Sequence, residues 1–457
     1  MEKWLRAALD YVPRWIEFQM RLTEQPGCSI AIARRGKLVL EQAFGHADLP
    51  GRVALTPVHR FRVASHSKTF TAAGILKLRE QGRLGLDDPA GRYVKGLHPG
   101  VAKATIAQLL SHSAGIIRDG TDSGQWQDRR AFLDEGELRA ALAAPPILEA
   151  NTRFKYSNHG FGLAGLVIAE VTGEPYDHWI RQAVVEPAGL AETEPDMAFV
   201  KAAVMAHGHS GKLPLGRRVV IPGQNHTRAL APAGGFVSTA RDLTRFFAGL
   251  DPAAGRGVLS LASRREMTRP QWRDAHSSVD MRYGLGLMIS RTAGWEWFGH
   301  GGAFQGFISR TTMLPEPGLT LSLVTNAIDG PAGIWLGGVT HILRRFAREG
   351  APARGLAAWS GRWWSAWGAL DIVPIGDKLL IANPALANPF EDAGEISLTG
   401  RDAGRVSLAS GFGSEGEPVR LIRDARGKAV KFRLGGGEGR REAAVMAEME
   451  KRYGKGR

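Results

Sequence analysis

Cysteine occurs once in 457 residues, at Cys28, so no disulfide can form within the chain. That scarcity fits a reducing compartment. Cys28 lies in an apolar, strand-like run, which predicts a buried and unreactive thiol. Long apolar runs are also missing: none approaches the roughly 20 residues that a bilayer span requires. The first residues lack the uninterrupted apolar stretch of a secretory signal, because Asp10, Arg14 and Glu17 interrupt it. The expectation is a mature cytoplasmic start, with Trp4, Leu5, Leu9, Val12, Ile16 and Met20 forming one face of an amphipathic helix. No repeat of fixed period is present, and no dense basic run interleaves with aromatics. The net charge of +14 comes mainly from scattered arginines. A solvated basic surface is therefore expected rather than a nucleic-acid or membrane-binding face.

Metal and nucleotide signals are equally thin. His207-Gly208-His209 has no accompanying His-Glu-x-x-His or carboxylate cluster and reads as a loop. Gly411-Phe412-Gly413-Ser414-Glu415-Gly416 has dinucleotide-fingerprint spacing, but a strand-like run follows it where a helix is needed, so it reads as a hairpin loop. No metal and no cofactor are expected.

What is present fills two or three domains, given that single cores rarely exceed about 250–300 residues. Cys28 to Ala33 and Lys37 to Phe44 read as a hairpin. The pattern is then mostly helical to about Phe247, punctuated at Asp87-Asp88-Pro89, Ala144-Pro145-Pro146 and Glu186-Pro187. Strands return at Gly306 to Leu314 and Leu319 to Asn326, followed by a helix through Ile334, Val339, Ile342 and Phe346. Strands from both ends of this region, with helices between, define an α+β domain over 1–348, its first 25 residues forming the opening helix. Residues 349–356 read as a linker. Over 357–457, short apolar runs alternate with turns (361–364, 378–381, 405–408, 419–422, 430–434), predicting an antiparallel β-barrel or sandwich. Glu438 to Arg457 reads as a charged, frayed tail.

Chemistry concentrates at Ser65-His66-Ser67-Lys68, before the helix predicted over Phe70 to Glu80. A three-residue step puts the Ser65 hydroxyl and the Lys68 amine on one helical face. A lysine with a lowered pKa can take the serine's proton; the bland alternative makes Ser65 a helix N-cap. Tyr156-Ser157-Asn158 opens another apolar helix. Its phenol could shuttle a proton if cations stabilise the anion, and the Asn158 amide offers both a donor and an acceptor. His300-Gly301-Gly302 ends the strand-like Trp295 to Phe298. Its glycines would let a strand pass close to a substrate.

This order of motifs resembles the serine beta-lactamase and penicillin-recognising superfamily, on its class C and D-aminopeptidase-like side. Leu109-Leu110-Ser111-His112-Ser113-Ala114-Gly115, Pro232-Ala233-Gly234-Gly235 through Leu243, and Tyr283-Gly284-Leu285-Gly286 strengthen the likeness, which spans roughly Pro26 to Phe346. The resemblance implies a beta-lactamase/transpeptidase-like catalytic domain, with an antiparallel sheet flanked by helices and an all-helical subdomain. It implies that Ser65 is acylated, that Lys68 is its base and that Tyr156 is the partner acid/base. Asn158, His300, Gly302 and Ala303 become substrate or oxyanion contacts, with Ser65 and Ala303 supplying the amide donors. The C-terminal region resembles the appended, lipocalin-like barrels of D-aminopeptidase-like members, and Asp392 in its acidic loop becomes a candidate contact for a substrate amine.

Penicillin-type members carry Lys-Thr-Gly at the third motif, where this chain has His300-Gly301-Gly302. A mostly neutral histidine weakens carboxylate recognition. The expected activity is therefore hydrolysis of a small amide or short D-residue peptide. An esterase, a D-Ala-D-Ala carboxypeptidase or weak beta-lactamase, and a non-catalytic binding or assembly protein are the alternatives. The sequence leaves homo-oligomerisation open.

Overall fold

The strand Gly27–Arg34 (β1) is buried along nearly its whole length, because it has a hydrogen-bonded neighbour on each side and helices over one face. In the computed structural model, which describes residues 1–200 and 204–454, this strand is third from one edge of the main sheet. Helix Lys3–Leu22 (α1) precedes it, and Lys37–Asp48 (β2) and Val53–Ala54 (β3) follow. Helices Ser67–Glu80 (α2), Asn158–Thr172 (α3) and Ala240–Gly249 (α4) come next. The chain then returns to the sheet as Trp272–Arg273 (β4), Arg282–Tyr283 (β5), Met288–Thr292 (β6), Trp295–Phe304 (β7), Phe307–Leu314 (β8) and Leu319–Thr325 (β9). The resulting nine-stranded antiparallel sheet runs β3-β2-β1-β9-β8-β7-β6-β5-β4. Cys28 pairs with Thr325 and Arg34 with Leu319, so the first strand is zipped to the last. That pairing makes the region between them one closed excursion, and α4 packs over β1 and β9. Cys28 is buried and its thiol is held up by burial, as the sequence predicts.

Contacts divide the chain into two compact units, Gln25–Leu336 and Met1–Glu24 together with Gly337–Arg457. The sequence placed the first helix with the catalytic domain; in the structure α1 groups with the C-terminal region. Its Tyr11 hydroxyl donates to Asp371 Oδ2 at 2.9 Å, and Gln19 Nε2 donates to the Pro384 carbonyl at 2.7 Å. The dividing point also falls inside helix Ala332–Glu349 (α5), ahead of the expected 349–356 linker.

The second unit closes a barrel from Gly361–Ser365 (β10), Gly368–Ile375 (β11), Lys378–Ala382 (β12), Gly394–Gly400 (β13), Ala403–Leu408 (β14), Pro418–Arg423 (β15), Ala429–Leu434 (β16) and Gly437–Arg440 (β17). Of these, β11, β13 and β17 were not legible as strands. In β11 a buried Asp371 breaks the apolar pattern, and it is neutralised by Arg362, whose Nε and Nη2 each donate to it at 2.8 Å. The tail expected to fray instead forms β17 and the helix Glu442–Tyr453 (α6). Arg441 stacks on Trp363 at 3.9 Å, Val445 is buried, and Glu442 pairs with Arg21, which together anchor it. The Gly411–Gly416 run connects β14 to β15, consistent with a hairpin loop. Among the described residues, no helix is long and apolar enough to cross a membrane.

Candidate active site

Ser65 lies in a single 3-10 turn, Ala64–His66, that runs directly into α2. It is not the cap of that helix. His66 occupies the N-cap position, with helical backbone angles and no side-chain capping bond. The turn is tight enough to place Ala64 at φ +47°, a left-handed conformation uncommon for a non-glycine residue. It is pinned by the segment after Leu230: Phe236 N donates to Ser67 Oγ at 3.0 Å, and Thr71 Oγ1 donates to the Pro232 carbonyl at 2.7 Å.

The Lys68 side chain is completely buried, and its amine meets three oxygens. Ser65 Oγ lies at 3.2 Å, Asn158 Oδ1 at 2.7 Å and the Ala233 carbonyl at 2.7 Å. Burial pushes this amine well below the usual lysine range; Asp119 opposes the shift and Arg118 adds to it. A neutral amine has two hydrogens and one lone pair. With the two short bonds donated to Asn158 and Ala233, the lone pair is left for the Ser65 hydroxyl.

Tyr156 lines the same cavity wall as Ser65, and its ring centroid lies 4.7 Å from Lys68 Nζ. Burial raises the phenol's pKa, outweighing the opposing effects of the neighbouring Ser65 and Arg118. The phenol therefore stays protonated at neutral pH. Asn158 opens α3 immediately after its cap, Ser157, whose Oγ accepts from Gly160 N at 2.9 Å. Its amide orientation is fixed from both ends, since Nδ2 donates to Asp119 Oδ1 at 2.5 Å.

His300-Gly301-Gly302 lies within β7, which continues to Phe304 instead of ending near Phe298. Gly302 is the constrained glycine: a Cβ there would sit 2.1 Å from the Val63 carbonyl. Only glycine lets this strand press against the turn that carries Ser65, bringing Ala303 into the same cavity wall as Ser65. His300 is buried, with Nε2 2.9 Å from the Tyr283 hydroxyl and Nδ1 2.7 Å from the Gly301 carbonyl.

His66 and His112 are buried as well. His112 Nδ1 accepts from Ser157 N at 3.1 Å, and its ring centroid lies 4.1 Å from that of Tyr156. Burial pushes all three histidines below the ordinary 6.5, His66 to about 3. Each is neutral when folded and gains a proton only on unfolding. Stability present above pH 6.5 is therefore lost as pH falls below it. His66 alone gives a slope of about 1.4 kcal/mol per pH unit near pH 5, and His112 and His300 add to it in the same direction. Denaturant titrations between pH 7 and 5 should show that fall, and a flat profile would contradict it.

The structure thus brings Ser65, Lys68, Tyr156, Asn158, His300, Gly302 and Ala303 together within one unit. Asp392 belongs to the other unit, on an exposed turn with φ +52°. The sequence did not single out Arg118 or Asp119, and it named Ala233 and Tyr283 only within segments that carry the family resemblance, with no role. Asp119 lies 39 positions from the Asn158 it orients, in a loop with no recognisable spacing. Ala233 contributes only a backbone carbonyl, although it sits in a segment that the resemblance had marked. A cavity of about 650 Å³ opens over Ser65, Tyr156, Asn158 and Ala303. Among the described residues, no group of three or more His, Cys, Asp or Glu side chains is arranged to hold a metal ion.

A family model described as Beta-lactamase matches residues 14–333, and the chain belongs to that family. It is 29% identical over 346 residues to Penicillin-binding protein 4 of Amycolatopsis lactamdurans, covering 72% of this chain and 87% of that protein. It is 31% identical over 186 residues to Protein flp of Staphylococcus aureus strain N315, covering 40% of this chain and only 37% of the relative's length. Among solved structures, a D-stereospecific amidohydrolase from Streptomyces sp. is 28% identical with a TM-score of 0.59, covering 69% of this chain and 94% of that one.

Proposed function

We propose that this protein hydrolyses small amides of D-amino acids, or short D-residue peptides, through an acyl-enzyme on Ser65. The observation that carries the reading is the Lys68 amine, buried and committed by two short bonds to Asn158 and Ala233, with Ser65 Oγ as its third neighbour. Lys68 takes the Ser65 proton as Oγ attacks the amide carbonyl. The Ser65 and Ala303 backbone amides stabilise the oxyanion; losing one such donor typically costs about 10²- to 10³-fold in rate. Tyr156, protonated at neutral pH, gives its proton to the departing amine and recovers one from the Lys68 ammonium. A water then attacks the ester, losing its proton to the same pair, and Ser65 is released.

The third motif favours an amide over a beta-lactam. Buried and bonded to Tyr283, His300 stays neutral and supplies no cation for a substrate carboxylate. The similarity to a D-stereospecific amidohydrolase supports the same choice. D-alanine p-nitroanilide is expected to be turned over with a kcat/KM at least about tenfold above its L-isomer and above a chromogenic cephalosporin. Turnover of p-nitrophenyl butyrate without any amide would make the protein an esterase. No turnover, with no fluorophosphonate labelling of Ser65, would make it a binding protein.

A further inference from the structure

The cavity over Ser65 is charged against the trend of the chain. The protein carries +14 overall, yet the charged residues lining this cavity are Arg118, Asp119 and Asp128, a net of −1. Two of them cancel: Arg118 Nε lies 3.0 Å from Asp119 Oδ2, while Asp119 Oδ1 accepts from Asn158. Asp128 has no such compensation among the described residues. Its Oδ1 accepts a neutral amide bond from Asn225 at 2.6 Å, and Oδ2 has no protein partner.

This carboxylate is held in place by a chain of supports. Asp128 has left-handed backbone, φ +57°, at the end of the 3-10 turn Gly124–Gln127. Asn225 spends its second amide hydrogen on Gln305 Oε1 at 3.0 Å, and Gln305 Nε2 donates to the Gln125 carbonyl at 2.8 Å. Three separate loops are thereby tied together around the cavity. Behind them stands Arg62, whose side chain is fully buried. Its Nη1 donates to the Asn225 and Gly223 carbonyls at 2.7 and 3.1 Å, and its guanidinium lies 3.9 Å from the Phe304 ring centroid. Burying this guanidinium is costly, since Nε and Nη2 make no hydrogen bond, and the cost is offset in part by Asp196, whose Oδ1 lies 4.0 Å from Nη2. The two Nη1 bonds of Arg62 hold the Asn225 loop.

We infer that Asp128 is the anchor for a free substrate ammonium, so that the substrates are unblocked amino-acid amides or peptides attacked at their N-terminal residue, with Asn225 and Arg62 as positioning residues. The inference rests on the hydrolase reading above. It assigns amine recognition to the unit that carries Ser65 instead of to Asp392. Trp126, Ile221, Phe304 and Ile328 give the rest of the wall an apolar face suited to the substrate's side chain.

The readout is the ratio of kcat/KM for D-alanine p-nitroanilide to that for its N-acetyl derivative, measured on the full chain. In the native protein the ratio should favour the free amine by about 10- to 100-fold, the scale of a hydrogen bond to a charged group. It should decline as pH rises through the substrate amine's pKa, near 8. Asp128→Asn should collapse the ratio mainly through KM, Asp128→Glu should restore part of it, and Asn225→Ala should lower it. An unchanged ratio in Asp128→Asn, or a native enzyme indifferent to N-acetylation while still labelled at Ser65 and active on an ester, overturns this inference alone. Failure of the native protein to label at Ser65 overturns the hydrolase reading, and this inference with it.

Discussion

Ser65→Ala should abolish fluorophosphonate labelling and lower kcat by about 10⁶-fold, the scale seen when the nucleophile of a comparable catalytic unit is deleted. The fold should survive. Alanine is compatible with the turn, and the bonds that pin the turn belong to Ser67, whose Oγ donates to the Ala64 carbonyl at 2.5 Å and accepts from Phe236. Those bonds also explain why Ser67, two positions away, cannot substitute: its hydroxyl is buried and fully used. The check is a labelling assay with peptide mapping, alongside a thermal melt. Labelling that persists in Ser65→Ala would place the nucleophile elsewhere.

Lys68→Met should cost about 10²- to 10⁴-fold in kcat, the range for loss of a general base. Methionine keeps the buried stem's length and apolar character while removing the lone pair. The pH profile separates a base from a structural lysine. Only neutral Lys68 accepts the Ser65 proton, so kcat/KM in the native enzyme should rise with pH through the Lys68 pKa. Burial places that limb below the usual lysine value of 10.5. Arg118 pushes the pKa down and Asp119 pushes it up. Arg118→Gln should therefore move the limb to higher pH, by a modest amount because Arg118 is 63% exposed and screened, and Asp119→Asn should move it to lower pH. Limbs that do not move in opposite directions would argue that some other group controls the profile.

Much of the site was legible because its signals are local. Ser-x-x-Lys works through helical spacing alone, and the structure keeps that spacing even though a 3-10 turn replaces the expected start of the helix. The hairpin of β1 and β2, the returning strands β8 and β9, and five of the barrel strands declare themselves by apolar runs bounded by turns. The failures also have physical causes. β11 was hidden by Asp371, a charge made tolerable by Arg362 on the paired strand β10 and by Tyr11, 360 positions away. The terminal helix α6 looked like a charged tail because little of it is buried beyond Val445; its anchors, Trp363 and Arg21, lie far away in sequence.

The sequence by itself determined the α+β class, the family resemblance and the identity of the residues around Ser65, since residue type and short spacing carry those. Only the tertiary structure decided protonation and charge. Lys68, Tyr156 and His300 have their shifted pKa values because burial, a long-range property, disfavours their charged forms. The same holds for the cavity's negative balance. Arg118 and Asp119 cancel only where folding sets them beside Asn158, and Asp128 faces the cavity only because loops separated by 80 to 180 residues meet at Asn225 and Gln305.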